Sequence, residues 1–501
     1  MYLFTKKTRS FNCLTLCGVL LLVFASLCAA RDIKITVNSG ANQTWKGFGV
    51  MPGSDGYESV DAATRERISS MLFNDMKFTF LMLYSQKFSH AAACPDGYLG
   101  SKEIYDAYNF ILSDVKKIKN DIMLAYGPHQ CSNIYRVPQK WSDYVVNTIK
   151  DLKDTYQMHI NYIDMYAEPE PGSFGPAPED WPQVIKLIRQ KLDARGLNDV
   201  KIIAPSLSGI DPSPSGIARL APLLGDRDAV NSLDMFGFHS YRMSMVKNQR
   251  DRLLNAGLTE GFFVTEGGDE NCDAGNAVCK GKYYDTRLRA NPKYDVSIMG
   301  NVLNDINLGT SYWTWFAGTQ PIRSMRDARY NTVEGLAILR FGINRIDIYP
   351  KYYHLVQFSQ AIKVGSKIRL STSDLGEEDR YIYMEAGYGD RPSIHAVAGQ
   401  NPDGGWGIAL LNMSGSPVSK WATTAVSSWP AAETQKVTVH VEELANKGEL
   451  QFHVYRTIVS DWRNTKKERS IIMRNGNLEV TLQAGDMVTL QTDAATGIIT
   501  Q

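Results

Sequence analysis

Residues 161–172 read NYIDMYAEPEPG, an apolar and aromatic run that ends on Glu168 and Glu170, each followed by proline. Such a run has the length and composition of a buried strand. Pro169 and Pro171 then stop the strand, because proline has no N–H to give to a ladder. A carboxylate is thereby placed at the C-terminal end of a strand. Seven more short apolar runs share the pattern, so that strands are expected over 46–50, 78–84, 121–126, 161–167, 200–205, 235–239, 262–266 and 310–316. Helical spacing fills the gaps, most plainly over 141–156 and 181–195, the latter stopped by Gly196. Eight strands alternating with helices over about 300 residues favour a closed (β/α)8 TIM barrel over an open doubly wound sheet. No glycine-rich phosphate fingerprint follows the first strand, which argues against a nucleotide site.

From residue 369 the pattern changes to period-two runs punctuated by Gly, Asn and Pro, among them RYIYMEAG (380–387), SIHAVAGQ (393–400) and KVTVHVEE (436–443). These predict a C-terminal antiparallel β-sandwich side domain. The N-terminal DIKITVNSG looks like a further strand of that sheet. The expected division is a leader at 1–30, the N-terminal strand at 31–45, the barrel at 46–368 and the sandwich at 369–501.

The leader carries Lys6, Lys7 and Arg9, an apolar run from Leu14 to Leu27, and Ala29 and Ala30 before Arg31. This is the layout of a secretory signal cut near Ala30. A membrane anchor is the competing reading, but the run is short against the roughly 20 residues that a spanning helix needs. No stable membrane span is expected, and the chain is placed outside the cytoplasm, secreted or lysosome-like. Of seven cysteines, Cys94, Cys131, Cys272 and Cys279 remain after the leader. An even number in an oxidising compartment suggests two disulfides, with three connectivities open. A zinc site finds no support, since there is no CxxC pair or nearby histidine cluster. Asn42-Gln43-Thr44 and Asn412-Met413-Ser414 are glycosylation sequons. With 54 basic and 53 acidic residues the net charge is +1, so no nucleic-acid footprint is expected.

In a (β/α)8 barrel the active site lies at the C-terminal ends of the strands. The polar residues that close strands are Glu168 on the fourth, His239 and Tyr241 on the sixth, Glu266 on the seventh, and Trp313 and Trp315 on the eighth. Two carboxylates across a barrel mouth suit hydrolysis of a glycosidic bond, where one protonates the leaving oxygen and the other attacks carbon or activates water. Tryptophan suits the apolar face of a sugar ring. Trp315 is preferred over Trp313 as nearer the strand end, and Trp45, Trp141 and Trp181 are assigned to packing. Glu170 rivals Glu168, His239 could be a core residue, and Asp55 is either a substrate contact or a turn residue.

The set GFG (47–49), AEPEP (167–171), HSY (239–241), VTEGG (264–268), YWTW (312–315) and PKYYHLVQFSQAIKVGSKI (350–368) resembles the retaining clan A glycoside hydrolases. It is most similar to family 30, the glucosylceramidase and endo-β-glycanase group. The resemblance spans nearly all of the chain after the leader and implies the same barrel with a sandwich built from both chain ends. It implies Glu168 as acid/base, Glu266 as nucleophile, Tyr241 as a hydrogen-bond partner of the nucleophile, His239 as a strand-six site residue and Trp315 as a sugar platform. It also implies an oligosaccharide, polysaccharide or glycolipid substrate and no metal or organic cofactor. Two departures stand out. Ala167 replaces the asparagine that usually precedes the acid/base, and FTFLMLYSQ (78–86) lacks the arginine usual at the end of strand two. Gln86, Lys87, His129 or Gln130 are the candidates to compensate. The departures keep two alternatives in view, an inactive carbohydrate-binding relative and a clan A hydrolase of another family with an unusual polysaccharide substrate.

Overall fold

The computed structural model describes residues 30–52, 60–84, 100–128, 134, 136–166, 168–169, 176–210, 214–240, 245–268, 292–321, 338–342, 345–376, 393–415 and 431–493. Two strands come first, β1 (Arg31–Val37) and β2 (Gln43–Thr44). Eight parallel strands follow: β3 (Gly47–Pro52), β4 (Phe80–Tyr84), β5 (Met123–Gly127), β6 (Tyr162–Asp164), β7 (Lys201–Leu207), β8 (Met235–Ser240), β9 (Phe262–Gly267) and β10 (Thr310–Pro321). Each pairs with the next, and β10 pairs with both β9 and β3, so the ring is closed.

The connecting helices are α1 (Ala62–Ser70), α2 (Ser101–Lys116), α3 (Pro138–Tyr156), α4 (Trp181–Ala194), α5 (Pro214–Gly225), α6 (Arg227–Ser232), α7 (Lys247–Asn255) and α8 (Pro292–Asn307). Their ends follow from local chemistry. The Asp61 carboxylate caps α1 by accepting from Thr64 N at 2.9 Å, Pro138 opens α3, and Gln157 closes it in a left-handed conformation.

Strand parity divides the barrel side chains into two layers. Met51, Phe80, Met82, Tyr162, Met235, Phe263 and Tyr312 fill the inside, where the Phe263 and Tyr312 rings stack at 4.9 Å and Phe80 meets both edge-on. The alternate residues face the helices in a second, larger core that includes Trp45, Trp141, Trp181 and Trp313. Those four tryptophans are fully buried packing residues.

Beyond the barrel lie the hairpin β11 (Leu339–Gly342) and β12 (Arg345–Ile348), then α9 (Pro350–Ala361). The side domain is one continuous curled sheet of twelve strands, the first ten being β1, β2, β13 (Lys367–Arg369), β14 (Ser371–Ser373), β15 (Ile394–Gln400), β16 (Trp406–Asn412), β17 (Gln435–Val441), β18 (Glu449–Thr457), β19 (Lys466–Lys467) and β20 (Ile471–Arg474). The last two are β21 (Asn477–Leu482) and β22 (Met487–Gln491). Pairing is antiparallel except that β1 runs parallel to β17. The fold into two layers is made by β18, whose residues up to Phe452 pair with β20 while those from His453 pair with β22. Since β13 begins at Lys367, the first sandwich strand of this region crosses the boundary expected between 368 and 369.

The two domains share buried hydrogen bonds. Gln357 on α9 donates to Tyr455 O at 2.9 Å and accepts from Thr457 Oγ1 at 2.7 Å, and Asn307 at the end of α8 exchanges two bonds with the Ser371 backbone. Such satisfied polar contacts fix the register of the contact surface. The sequon at Asn412 proves to be interior. Its side chain is fully buried, donates to Glu433 O and Leu482 O, and accepts from Ser414 N, so it has no room for a glycan in the folded chain. Asn42 is half-buried and donates to Asn307 O at 3.0 Å. The leader, the 380–387 strand and the four candidate disulfide cysteines lie outside the described residues. No described helix is long and apolar enough to cross a membrane.

Candidate active site

Strand four delivers its carboxylate through an irregular backbone. Met165 N donates to Ile203 O; the chain then leaves the ladder and rejoins it where Glu168 N donates to Ser206 O at 3.1 Å. Glu168 there has a φ of 52°, the left-handed region that non-glycine residues rarely hold. A conformation costing of order 1 kcal/mol or more persists only where its surroundings enforce it, and such residues concentrate at functional sites. Trp141 supplies part of that enforcement, stacking on Tyr166 at 5.5 Å and donating to Met165 O at 3.3 Å.

Glu266 is aimed by a second irregularity. Phe238 lies opposite Val264, but His239 lies opposite Glu266, so Thr265 is an extra residue in the pairing of β8 with β9. A bulge of this kind rotates the following side chain by one position. It lets both Thr265 and Glu266 serve the inside of the barrel. Gly267 comes next because a side chain there would meet the Trp313 ring at 2.5 Å.

The imidazole of His239 joins the two carboxylates. Its Nδ1 is 3.2 Å from Glu168 Oε1 and 3.6 Å from Glu266 Oε2. His239 is wholly buried, while the Glu266 side chain is 12% and the Glu168 side chain 44% exposed. Burial is the largest single influence on the imidazole and disfavours its charge. The carboxylates of Glu266, Glu168 and Asp164 together outweigh it and hold the pKa up to about 9. His239 is therefore a cation at neutral pH. It is a charged member of the site rather than a neutral core residue.

Sequence reasoning missed a deeper polar set. Asp164 on β6 points into the barrel, fully buried, and accepts from Ser206 Oγ at 2.9 Å; Ser206 Oγ in turn meets Thr265 Oγ1. Burial pushes the Asp164 carboxyl well above its usual range, partly offset by His239 and the Ser206 hydroxyl. Tyr84, the last residue of β4, also points inward and is almost fully buried. Burial, and then the charges of Glu266 and Asp164, raise its phenol well above the ordinary value. Asp164 lies two residues along the strand from inward-facing Tyr162, and Tyr84 ends an apolar strand on a polar atom. Parity and the strand-end rule were the signals that could have found them.

Trp315 is a correction. It is fully buried in the layer between barrel and helices, its ring 4.6 Å from that of Trp313, which itself donates to Asp305 Oδ2. It does not face the mouth. The residue of strand eight that packs on the inward layer while keeping partial exposure is Phe316. The expectation chose the right strand end and the wrong face. Tyr241, Asp55, Ala167, Glu170 and the candidate compensators Gln86, Lys87, His129 and Gln130 lie outside the described residues. Among the described residues no group of three or more histidine, cysteine or acidic side chains is arranged to hold a metal ion.

No protein-family model and no curated protein matches this sequence. Solved structures do match. The catalytic domain of GH30 xylanase C from Talaromyces cellulolyticus superposes with a TM-score of 0.61 at 14% identity, covering 92% of this chain and 100% of that one. An endo-β1,6-glucanase gives 0.58 at 16% identity over 92% and 94%. A GH51 arabinofuranosidase from Xanthomonas axonopodis pv. citri gives 0.56 at 11% identity over 92% and 100%. The chain thus has the fold of the clan A glycoside hydrolases close to family 30, barrel and side domain together.

Proposed function

We propose that this chain is a retaining glycoside hydrolase acting on β-linked glycans, with Glu266 as nucleophile and Glu168 as acid/base. The observation that carries the reading is the pair of contacts to one imidazole nitrogen. Two oxygens at 3.2 and 3.6 Å from the same atom lie at most about 6.8 Å apart. Carboxyl groups about 5 to 5.5 Å apart belong to double displacement and those about 6.5 to 9.5 Å apart leave room for an intervening water, so the bound admits the first spacing and all but the lower edge of the second lies beyond it. The exposures suit the roles. Glu266 is held at the barrel mouth with little freedom, and Glu168 is open enough to meet both a leaving group and water.

In the first step Glu266 attacks the anomeric carbon and Glu168 gives its proton to the departing oxygen. In the second, Glu168 takes a proton from water, which displaces Glu266 and restores the starting configuration. His239 acts by charge, since a cation beside both carboxylates favours the ionised form of whichever one must carry charge. A β-glycan substrate is supported by structural neighbours named as a xylanase and an endo-β1,6-glucanase. Export is supported by the apolar leader, and the secreted protein is expected to start at Arg31 on N-terminal sequencing.

A second reading, a sugar-binding chain without turnover, draws on the same imidazole, because a cation at 3.2 Å opposes the protonated Glu168 that the first step needs. Hydrolysis of aryl β-glycosides and β-linked glycans decides between them. The wild type is expected to turn over with retention, seen by NMR of the first-formed anomer, and Glu266→Gln to lose at least about 1,000-fold. Binding with no turnover in the wild type would leave the second reading.

A further inference from the structure

We infer that Tyr84 is the neutral hydrogen-bond donor that supports the Glu266 carboxylate, at the strand-two end where this sequence has no arginine, and that Tyr108 and Gly127 hold it there. The inference rests on reading Glu266 as the working carboxylate of the site.

Tyr84 closes β4 and faces inward, with its ring in the inner core beneath the mouth. Its hydroxyl is buried and has no partner at ordinary hydrogen-bond length among the described residues. A phenol in that condition loses its water without replacement, which is costly unless a charged acceptor is near. The acceptor on that side is Glu266: Phe80 of β4 and Phe263 of β9 meet inside the barrel at 5.2 Å, Tyr84 and Glu266 lie at the C-terminal ends of the same two strands, and the Glu266 charge raises the phenol. Tyrosine cannot accept a proton at neutral pH and is held here against losing one, so it can only donate to this carboxylate.

The placement is built rather than incidental. The Tyr108 hydroxyl on α2 accepts from Tyr84 N at 3.1 Å and donates to Tyr84 O at 2.9 Å, so one side chain takes up both backbone groups of the strand's last residue. Tyr108 is itself almost fully buried. On the neighbouring strand, any side chain at Gly127 would meet the Tyr84 ring at 2.5 Å. The ring is thus gripped at its backbone from the helix layer and given room on strand three.

A neutral donor differs from an arginine in kind. It stabilises the carboxylate by about one charged hydrogen bond and adds no positive charge, which leaves His239 as the cation closest to both acids among the described residues. The contact is reciprocal: the Glu266 charge holds the phenol proton in place, so removing that charge must make the Tyr84 phenol easier to ionise.

The test is read first without turnover, in the full chain. NMR of protein labelled at the tyrosine ring, with Tyr84→Phe assigning the signal, follows the Tyr84 phenol; its resonance should shift, and the phenol should ionise at lower pH, in Glu266→Gln, which removes the charge it faces. Kinetically, kcat of Tyr84→Phe should fall about 10-fold with KM little changed. Tyr108→Phe is expected to lower kcat in the same direction by less. Should Tyr84→Phe fold poorly, 3-fluorotyrosine at position 84 keeps the shape, and its fluorine signal should shift in Glu266→Gln. A Tyr84 signal unmoved in folded Glu266→Gln overturns the inference. A wild type with no turnover on any glycoside overturns the assigned function instead and leaves the Tyr84 signal to judge the contact.

Discussion

Replacing His239 by glutamine tests the electrostatic core of the site. An imidazole moved from 6.5 to about 9 on folding favours the charged native form by about 3 kcal/mol. No discount for solvent applies, since the ring is wholly buried. Because the folded value is the higher one, this stabilisation is complete below pH 6.5 and disappears as pH rises through about 9. The variant should be less stable than wild type at pH 6 by about 3 kcal/mol, because Glu266 and Glu168 lose their counter-charge. Between pH 6 and pH 10 the wild type should lose about 3 kcal/mol that the variant does not. Urea unfolding followed by the fluorescence of the buried barrel tryptophans measures both. The decisive reading is the His239 ring-proton titration by NMR. A midpoint at or below 6.5 would show that burial defeats the carboxylates, and the account of His239 as a resident cation would be refuted.

Trp315→Ala should cost about 3–5 kcal/mol of stability with KM unchanged in the folded fraction, whereas Phe316→Ala should raise KM severalfold and leave the melting temperature nearly unmoved. The reverse pattern, seen in thermal melts and saturation curves, would restore Trp315 to the mouth. Asn412→Ala should destabilise the sandwich by about 1–3 kcal/mol by removing the buried amide that donates to Leu482 O and Glu433 O and accepts from Ser414 N, and intact mass of exported protein should show no sugar at Asn412. Asp164→Asn removes an acid whose folded pKa is raised, a penalty present only above its unfolded pKa. The variant's urea midpoint should therefore gain on wild type as pH rises from 4 to 8; a constant gap would contradict a carboxyl raised by burial.

The barrel could be read from the sequence because its signals are repetitive. Eight apolar runs of strand length separated by helical spacing leave few arrangements, and the ends of α3 and α4 fall within a few residues of that spacing. Glu168, His239 and Glu266 were legible as the polar residues that end strands. Trp315 was misplaced because strict alternation cannot tell which of two alternating sets faces inward; pairing of Trp315 with Val50, an outward residue of β3, settles it. The extra residues at Ser206 and Thr265 shift the pairing of β7, β8 and β9, and no composition signal announces a bulge. Tyr84 ends FTFLMLY on a phenol, a neutral group that the expectation of a strand-two cation does not single out. Asp164 looked like an interruption in an apolar run, and only the closed ring shows that its neighbours are His239 and Ser206.

The parallel pairing of β1 with β17 ties residues 31–37 to residues 435–441. During synthesis this strand leaves the ribosome before either of its partners and waits for the whole barrel to follow, more than 300 residues to β14 and about 400 to β17. Contacts so distant in sequence form late, since their loop-closure entropy must be met first. The barrel is in effect an insertion into the side domain, able to close while both ends of the sandwich are still unjoined. A tag or deletion at the N-terminal strand should accordingly disturb the last stage of maturation and leave barrel closure untouched.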